Sequence, residues 1–232
     1  MKKSLVSVTR VSREFIVQTV MREVLDGTMP PGSRLVTEAL AKRFDVSHTP
    51  VREALLTLSG MGIVEVLPNR GAIVKRFSPR EIREVCDVRL ALELLAVRSA
   101  CGSIPVAPLK TLRAQFAKLA KPRTKVKVEE VRVASELDSQ LHSIIRDHAK
   151  NQFLIRELNR IHSIVTVIRD AAWQQLVSEE NLQRVIEESK QHLEIVEALI
   201  ANQPKQACIL MRTHLRTGKR TIVKAVLKNA DE

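Results

Sequence analysis

Asp138 and His142 stand four residues apart, so on a helix both side chains leave the same face. Around them Val131, Ala134, Leu137, Leu141, Ile144 and Ile145 recur at helical spacing, and the pair lies beside that apolar stripe. His192 falls among Ile186, Leu193, Val196 and Leu199 on a second helical run. His214 falls among Ile209, Leu210, Leu215 and Ile222 on a third. Gathered in a bundle core, one carboxylate and three imidazoles would suit a divalent first-row metal: zinc first, with nickel or manganese also accepted. Such a set leaves room for a small carboxylate ligand to complete the shell. Periodicity alone does not bring the three runs together, and a histidine beside an apolar stripe is more often a hydrogen-bonded core residue. His148 and His162, also on helical runs, are read as structural or surface residues.

A second set of residues suits a different chemistry. In Ser47-His48-Thr49-Pro50-Val51-Arg52-Glu53-Ala54-Leu55, Ser47 or Thr49 can cap a helix start, and Pro50 is tolerated in a first turn. Ala54, Leu55, Leu58 and Met61 form the buried stripe of that helix. His48, Thr49 and Arg52 are then left outside near its N-terminal end, where a recognition helix meets base edges and phosphates. Arg34, Lys42, Arg43, Arg70 and Lys75 are candidates for further phosphate contacts, although most surface cations are simply solvated.

The elements that must position these groups are legible in outline. Residues 11–26 put Phe15, Ile16, Val20, Val24 and Leu25 on one helical face, stopped by Asp26-Gly27 and Pro30-Pro31-Gly32. Thr37 can cap a second helix carrying Leu40 and Phe44, which ends near Asp45-Val46. The helix from Ser47 follows, then two β-prone runs, 63–67 and 72–76, joined at Pro68-Asn69-Arg70-Gly71. Three helices and a two-stranded ribbon make a winged helix-turn-helix over residues 1–76, with 77–79 as linker. Ser78-Pro79 is a strong helix start. Helices are expected at about 79–101, 106–121, 127–149, 151–175, 180–202 and 204–229, with one break at Val177-Ser178. Residues 80–232 therefore read as an all-α bundle of six to seven helices, and the whole chain as mainly α.

Bulk properties agree without adding much. The 232 residues are enough for two modest domains, and 44% apolar content excludes global disorder. No apolar run approaches the roughly 20 residues of a membrane span and no secretory signal opens the chain, so a cytoplasmic location at the nucleoid is expected. Cys86, Cys101 and Cys208 have no metal-pair spacing and read as reduced thiols. The net charge of +12 favours a polyanionic partner, but it divides as +5 over residues 1–78 and +7 over 79–232. Charge alone is therefore a weak argument for DNA. Aromatics at 3%, with no tyrosine, count against stacking of unpaired bases.

The first 76 residues resemble the winged-helix domain of the GntR family of bacterial transcription regulators. The residues that carry the resemblance are Pro31-Gly32-Ser33-Arg34-Leu35, Leu40-Ala41, Val46-Ser47, Thr49 to Leu55, Leu58 and Arg70-Gly71-Ala72-Ile73-Val74. One departure stands out: most members have arginine at the place of His48. The second domain resembles the helical effector domain of the fatty-acid-regulator branch, called FCD. It does so through Arg89-Leu90-Ala91-Leu92-Glu93, Asp138 with His142 and Asn151, and His192 to Leu199 with Ala207 and Met211 to Leu215.

What the resemblance implies is a dimeric, ligand-responsive repressor or activator reading a pseudo-palindrome in double-stranded DNA. It carries the DNA contacts onto Arg34, Ser47, His48, Thr49, Arg52, Arg70 and Gly71. It brings Asp138, His142, His192 and His214 together around a metal, and it makes Arg89, and Arg169 after it, partners for a small organic acid. The residues themselves leave Arg89 free to pair instead with Glu93 or Asp87 on its own helix. A purely structural metal site is the alternative function. A metal-dependent enzyme is a minor one, set aside because no motif supplies a separate general base.

Overall fold

A computed structural model describes residues 12–68, 70–123, 127–173 and 180–228. Asn69, Val11, the break at Val177-Ser178 and the helix ends expected at 174–175 and 229 lie outside the described residues. The chain divides into two compact units between Arg76 and Phe77.

The first unit holds α1 (Arg13–Leu25), β1 (Arg34–Leu35), α2 (Thr37–Phe44), α3 (His48–Gly60), β2 (Val64–Leu67) and β3 (Gly71–Val74). Ser12 starts α1 by accepting from the Phe15 amide at 3.2 Å. Ile16, Val20 and Val24 bury its inner face, with Val51, Ala54, Leu55 and Leu58 of α3 also in the core. Phe15 is 53% exposed, unlike the expectation, and turns its ring edge-on to Phe44 at 6.2 Å. Asp45, in the left-handed conformation, ends α2.

Three local expectations need correction. The ribbon is a three-stranded sheet in the order β1-β3-β2, with Arg34 opposite Ile73 and Leu35 opposite Ala72. Two residues are too few to show alternation, so β1 leaves no trace in sequence periodicity. Val36, not Thr37, occupies the N-cap of α2, without a side-chain cap bond. Ser47 holds the N-cap position of α3, but its side chain makes no cap bond either.

Gly71 explains how β1 is admitted. Its φ is +92°, and a Cβ there would stand 2.1 Å from the Leu35 carbonyl oxygen. Only glycine lets the two backbones approach so closely at that dihedral.

Among the described residues the second unit holds six helices: α4 (Pro79–Ala100), α5 (Val106–Leu119), α6 (Val128–Asp147), α7 (Gln152–Trp173), α8 (Glu180–Ile200) and α9 (Pro204–Lys228). Ser78 and Glu81 form a reciprocal capping box at the start of α4, with bonds of 3.2 and 2.9 Å. Asn151 caps α7 by accepting from the Phe153 and Leu154 amides at 3.1 Å each. His148 stands at the C-cap of α6, its Nδ1 2.8 Å from the Ile144 carbonyl oxygen. The core runs through the bundle from Ala96 and Val97 of α4 to Phe116, Leu141, Ile145, Ile195 and Met211. No described helix is long and apolar enough to cross a membrane.

Candidate metal centre and nucleic-acid interface

Buried in the second unit are four ionisable side chains among the described residues: Glu93, His142, His192 and His214. Asp138 and His142 leave α6 side by side, as their spacing requires, His192 enters from α8 and His214 from α9. The Asp138 Oδ1 atom lies 3.0 Å from His192 Nε2, 3.5 Å from His142 Nε2 and 3.7 Å from His214 Nε2. One ligand atom from each residue lies within 4.8 Å of every other. Donor atoms around a four-coordinate zinc stand roughly 3.3 Å apart, so this set has the right size as well as the right chemistry. His142 Nε2 is buried without a hydrogen-bond partner. A buried nitrogen without a hydrogen-bond partner, beside a carboxylate and two imidazoles, makes a donor set that could hold a metal ion.

Each imidazole is steered by another side chain. Glu93 Oε1 approaches His142 Nδ1 at 2.9 Å, a close charge contact and not an aligned hydrogen bond. Gln191 Oε1 lies 3.2 Å from His214 Nδ1, and His214 Nε2 lies 3.3 Å from His192 Nε2. Phe116 stacks on His192 with ring centres 4.8 Å apart. Sequence reading missed Gln191 and Phe116 as site residues and saw Glu93 only as a salt-bridge partner. Nothing but tertiary packing could reveal them, although a glutamate inside an apolar stripe was a usable signal for Glu93. With Arg169 on α7, all six helices contribute a side chain.

At Glu93, Asp138 and His142 burial opposes the neighbouring charges, and the charges prevail. It pushes Glu93 up, yet the charge of His142 and then Arg89 outweigh it and hold the carboxyl down at about 2. Burial likewise raises Asp138, but His142 and His192 bring it well below the ordinary aspartate value. His142 is lowered by burial and raised further by Glu93, ending at about 9. His214 falls well below the usual range through burial and the neighbouring His192. His162 drops to about 4, first through burial and then through the charges of Arg89 and His142.

The two arginines expected to meet an effector are already engaged. Arg89 Nε lies 3.3 Å from Glu93 Oε1, the same-helix pairing the sequence left open. Arg169 Nη1 lies 2.9 Å from Asp138 Oδ2. Ile209, expected beside His214 in the core, is 58% exposed.

On the first unit, Ser47, His48, Thr49 and Arg52 are exposed along the N-terminal part of α3, while the opposite face is buried. Arg34 on β1, Lys42 on α2 and Arg70 before β3 are exposed, and Lys75 is half-buried. Arg70 donates its amide to the Leu67 carbonyl at 3.0 Å. Arg43 is different: its guanidinium is paired with Glu23 and lies over the Phe44 ring, so its charge is already balanced.

A helix with an exposed polar N-terminal face beside a small sheet, joined to a helical bundle that buries an Asp/His3 cluster, is the arrangement of a class of two-unit regulators. The model of the bacterial regulatory proteins of the gntR family matches residues 12–74, and that of the FCD domain matches residues 84–217. The chain belongs to the GntR family of transcription regulators, in the branch that carries an FCD domain, and is a DNA-binding protein of that type. It is 24% identical over 223 residues to the HTH-type transcriptional repressor RspR of Escherichia coli K12, covering 96% of this chain and 94% of that one. It is 30% identical over 206 residues to the HTH-type transcriptional regulator LutR of Bacillus subtilis, covering 83% and 92%. Among solved structures, E. coli McbR/YncC superposes with a TM-score of 0.73 at 19% identity, covering 91% of this chain and 97% of that one.

Proposed function

We propose that this regulator is a homodimeric repressor whose grip on a pseudo-palindromic operator is set by a small organic acid bound at a metal centre in the bundle. One observation carries the reading: an Asp/His3 cluster buried in the core, with the His142 Nε2 atom unsatisfied. Asp138, His142, His192 and His214 would hold the ion, zinc first, with nickel or manganese also suited. When bound, the ion supplies a positive charge able to take a carboxylate ligand. Arg89 and Arg169 are the residues to orient that acid, by exchanging Glu93 and Asp138 for it.

On the DNA side, Arg52, His48 and Thr49 are the proposed base and phosphate contacts, with Ser47, Arg34, Arg70 and Gly71 at the backbone. The link between the halves is covalent and short: α4, which carries Arg89 and Glu93, begins at Pro79, three residues after Arg76. An acid that prefers one disposition of α4 shifts the dimer between two arrangements, and only that difference in affinity can alter DNA binding.

The test is operator affinity of metal-loaded protein across a panel of mono-, di- and hydroxy-acids. At least one acid should change affinity several-fold, and the response should vanish on chelation. If no acid has any effect, the sensing role is wrong. Four protein ligands also satisfy a closed structural zinc site. That second reading gains if chelation lowers the melting temperature and leaves every acid without effect before and after.

A further inference from the structure

Helix α9 carries seven Lys and Arg and no Asp or Glu, a charge equal to the net +7 of residues 79–232. Arg216, Arg220 and Lys224 recur every fourth residue, so they form one ridge along it. Beside the ridge, α4 and α9 enclose a groove of about 660 Å³. Its floor is apolar, from Leu90, Leu215, Val223 and Leu227, and Arg83 of α4 adds a cation at the rim. Asp87, the one acid among the lining residues, is already paired with Lys219 at 2.5 Å. Arg83, Arg216, Arg220 and Lys224 have no ion-pair partner among the described residues.

Like charges set around an apolar trough repel one another and favour an anionic partner. The floor in turn favours an apolar body, and the volume lies within the range of roughly 300–1,000 Å³ usual for small-molecule sites. A second copy of the chain would bring the same cations against this rim. Duplex phosphates would satisfy the rim and leave the floor wet. We propose that the α4–α9 groove is a second ligand site, taking an amphipathic organic anion. Its apolar body lies on Leu90, Val223 and Leu227, and its acid group lies among Arg216, Arg220 and Lys224. This site does not depend on the metal centre.

The test uses the full chain with 8-anilinonaphthalene-1-sulfonate and dodecyl phosphate as probes. One molecule of the fluorophore should bind per chain, be displaced by dodecyl phosphate, and resist displacement by dodecyltrimethylammonium or inorganic phosphate. Chelation should leave that binding unchanged, which separates it from the bundle site. The double variant Arg216→Glu/Arg220→Glu, and Lys224→Glu alone, should each weaken binding, the double by about tenfold or more, since rim charges govern attraction of an anion. Arg160→Glu on α7 should not. Equal binding by the reversed variants, or equal displacement by the cationic amphiphile, would overturn the proposal. So would charge reversal that changes only the sedimentation of the protein or its affinity for duplex DNA.

Discussion

Glu93 Oε1 lies 2.9 Å from His142 Nδ1, with the two side chains only 4% and 1% exposed. A carboxylate placed behind a histidine in this way orients the ring and raises its basicity toward an ion on the opposite nitrogen. Glu93 is therefore the carboxylate placed to position His142, the candidate ligand whose two ring nitrogens have no hydrogen-bond partner.

Replacing Glu93 by Gln keeps the shape and removes the charge. Zinc affinity should fall about 10- to 100-fold, as for other partners behind a ligating histidine. Competition with a chromophoric chelator measures it. Parental affinity in this variant would mean that the contact with His142 is incidental.

Metal uptake should release a proton. In the metal-free protein His142 is held protonated up to about pH 9 by Glu93, whereas a ligating imidazole must be neutral. Asp138 is already ionised and His214 already neutral at pH 7, since both sit well below their ordinary values. Between pH 7 and about 9, apparent affinity should rise with pH as His142 gives up its proton, then level off. Calorimetry in buffers of different ionisation enthalpy reads the proton directly, and a pH-independent affinity across this range would contradict the assignment.

Arg52→Ala should lose about 1–3 kcal/mol of operator binding and relax preference at one base position. Arg70→Ala should weaken operator and random duplex alike, lowering the salt slope by about one unit. Fluorescence anisotropy on both DNAs at several salt concentrations separates the two behaviours. If Arg52→Ala binds both as the parent does, α3 is not the reading helix.

Gly71→Ala should destabilise the first unit by about 1–3 kcal/mol from backbone strain alone, before the overlap with the Leu35 carbonyl is counted. Thermal unfolding followed by circular dichroism checks it. An unchanged melting temperature would mean that β1 is free to leave β3.

Much of this protein is determined by local signals that survive in one dimension. The stop at Asp26-Gly27, the Ser78-Pro79 start and the burial of Ala54, Leu55 and Leu58 in α3 are short-range effects of caps, turns and periodicity that appear where the sequence puts them, whereas Met61, expected in that stripe, is the half-buried C-cap after the helix. Asp138 and His142 share a face for the same reason. The family motifs further link those two residues to His192 and His214. Tertiary structure alone decided the rest. A two-residue strand has no period to detect, so β1 appears only when Gly71 lets it pair with β3. Arg89 had two candidate partners on its own helix, and packing chose Glu93 by burying that carboxylate against His142. Gln191 joins the centre as the polar partner of buried His214, Phe116 by stacking on His192, and Arg169, expected there for an effector, by pairing with Asp138. Which partner is near depends on how six helices pack, not on the spacing within any one of them.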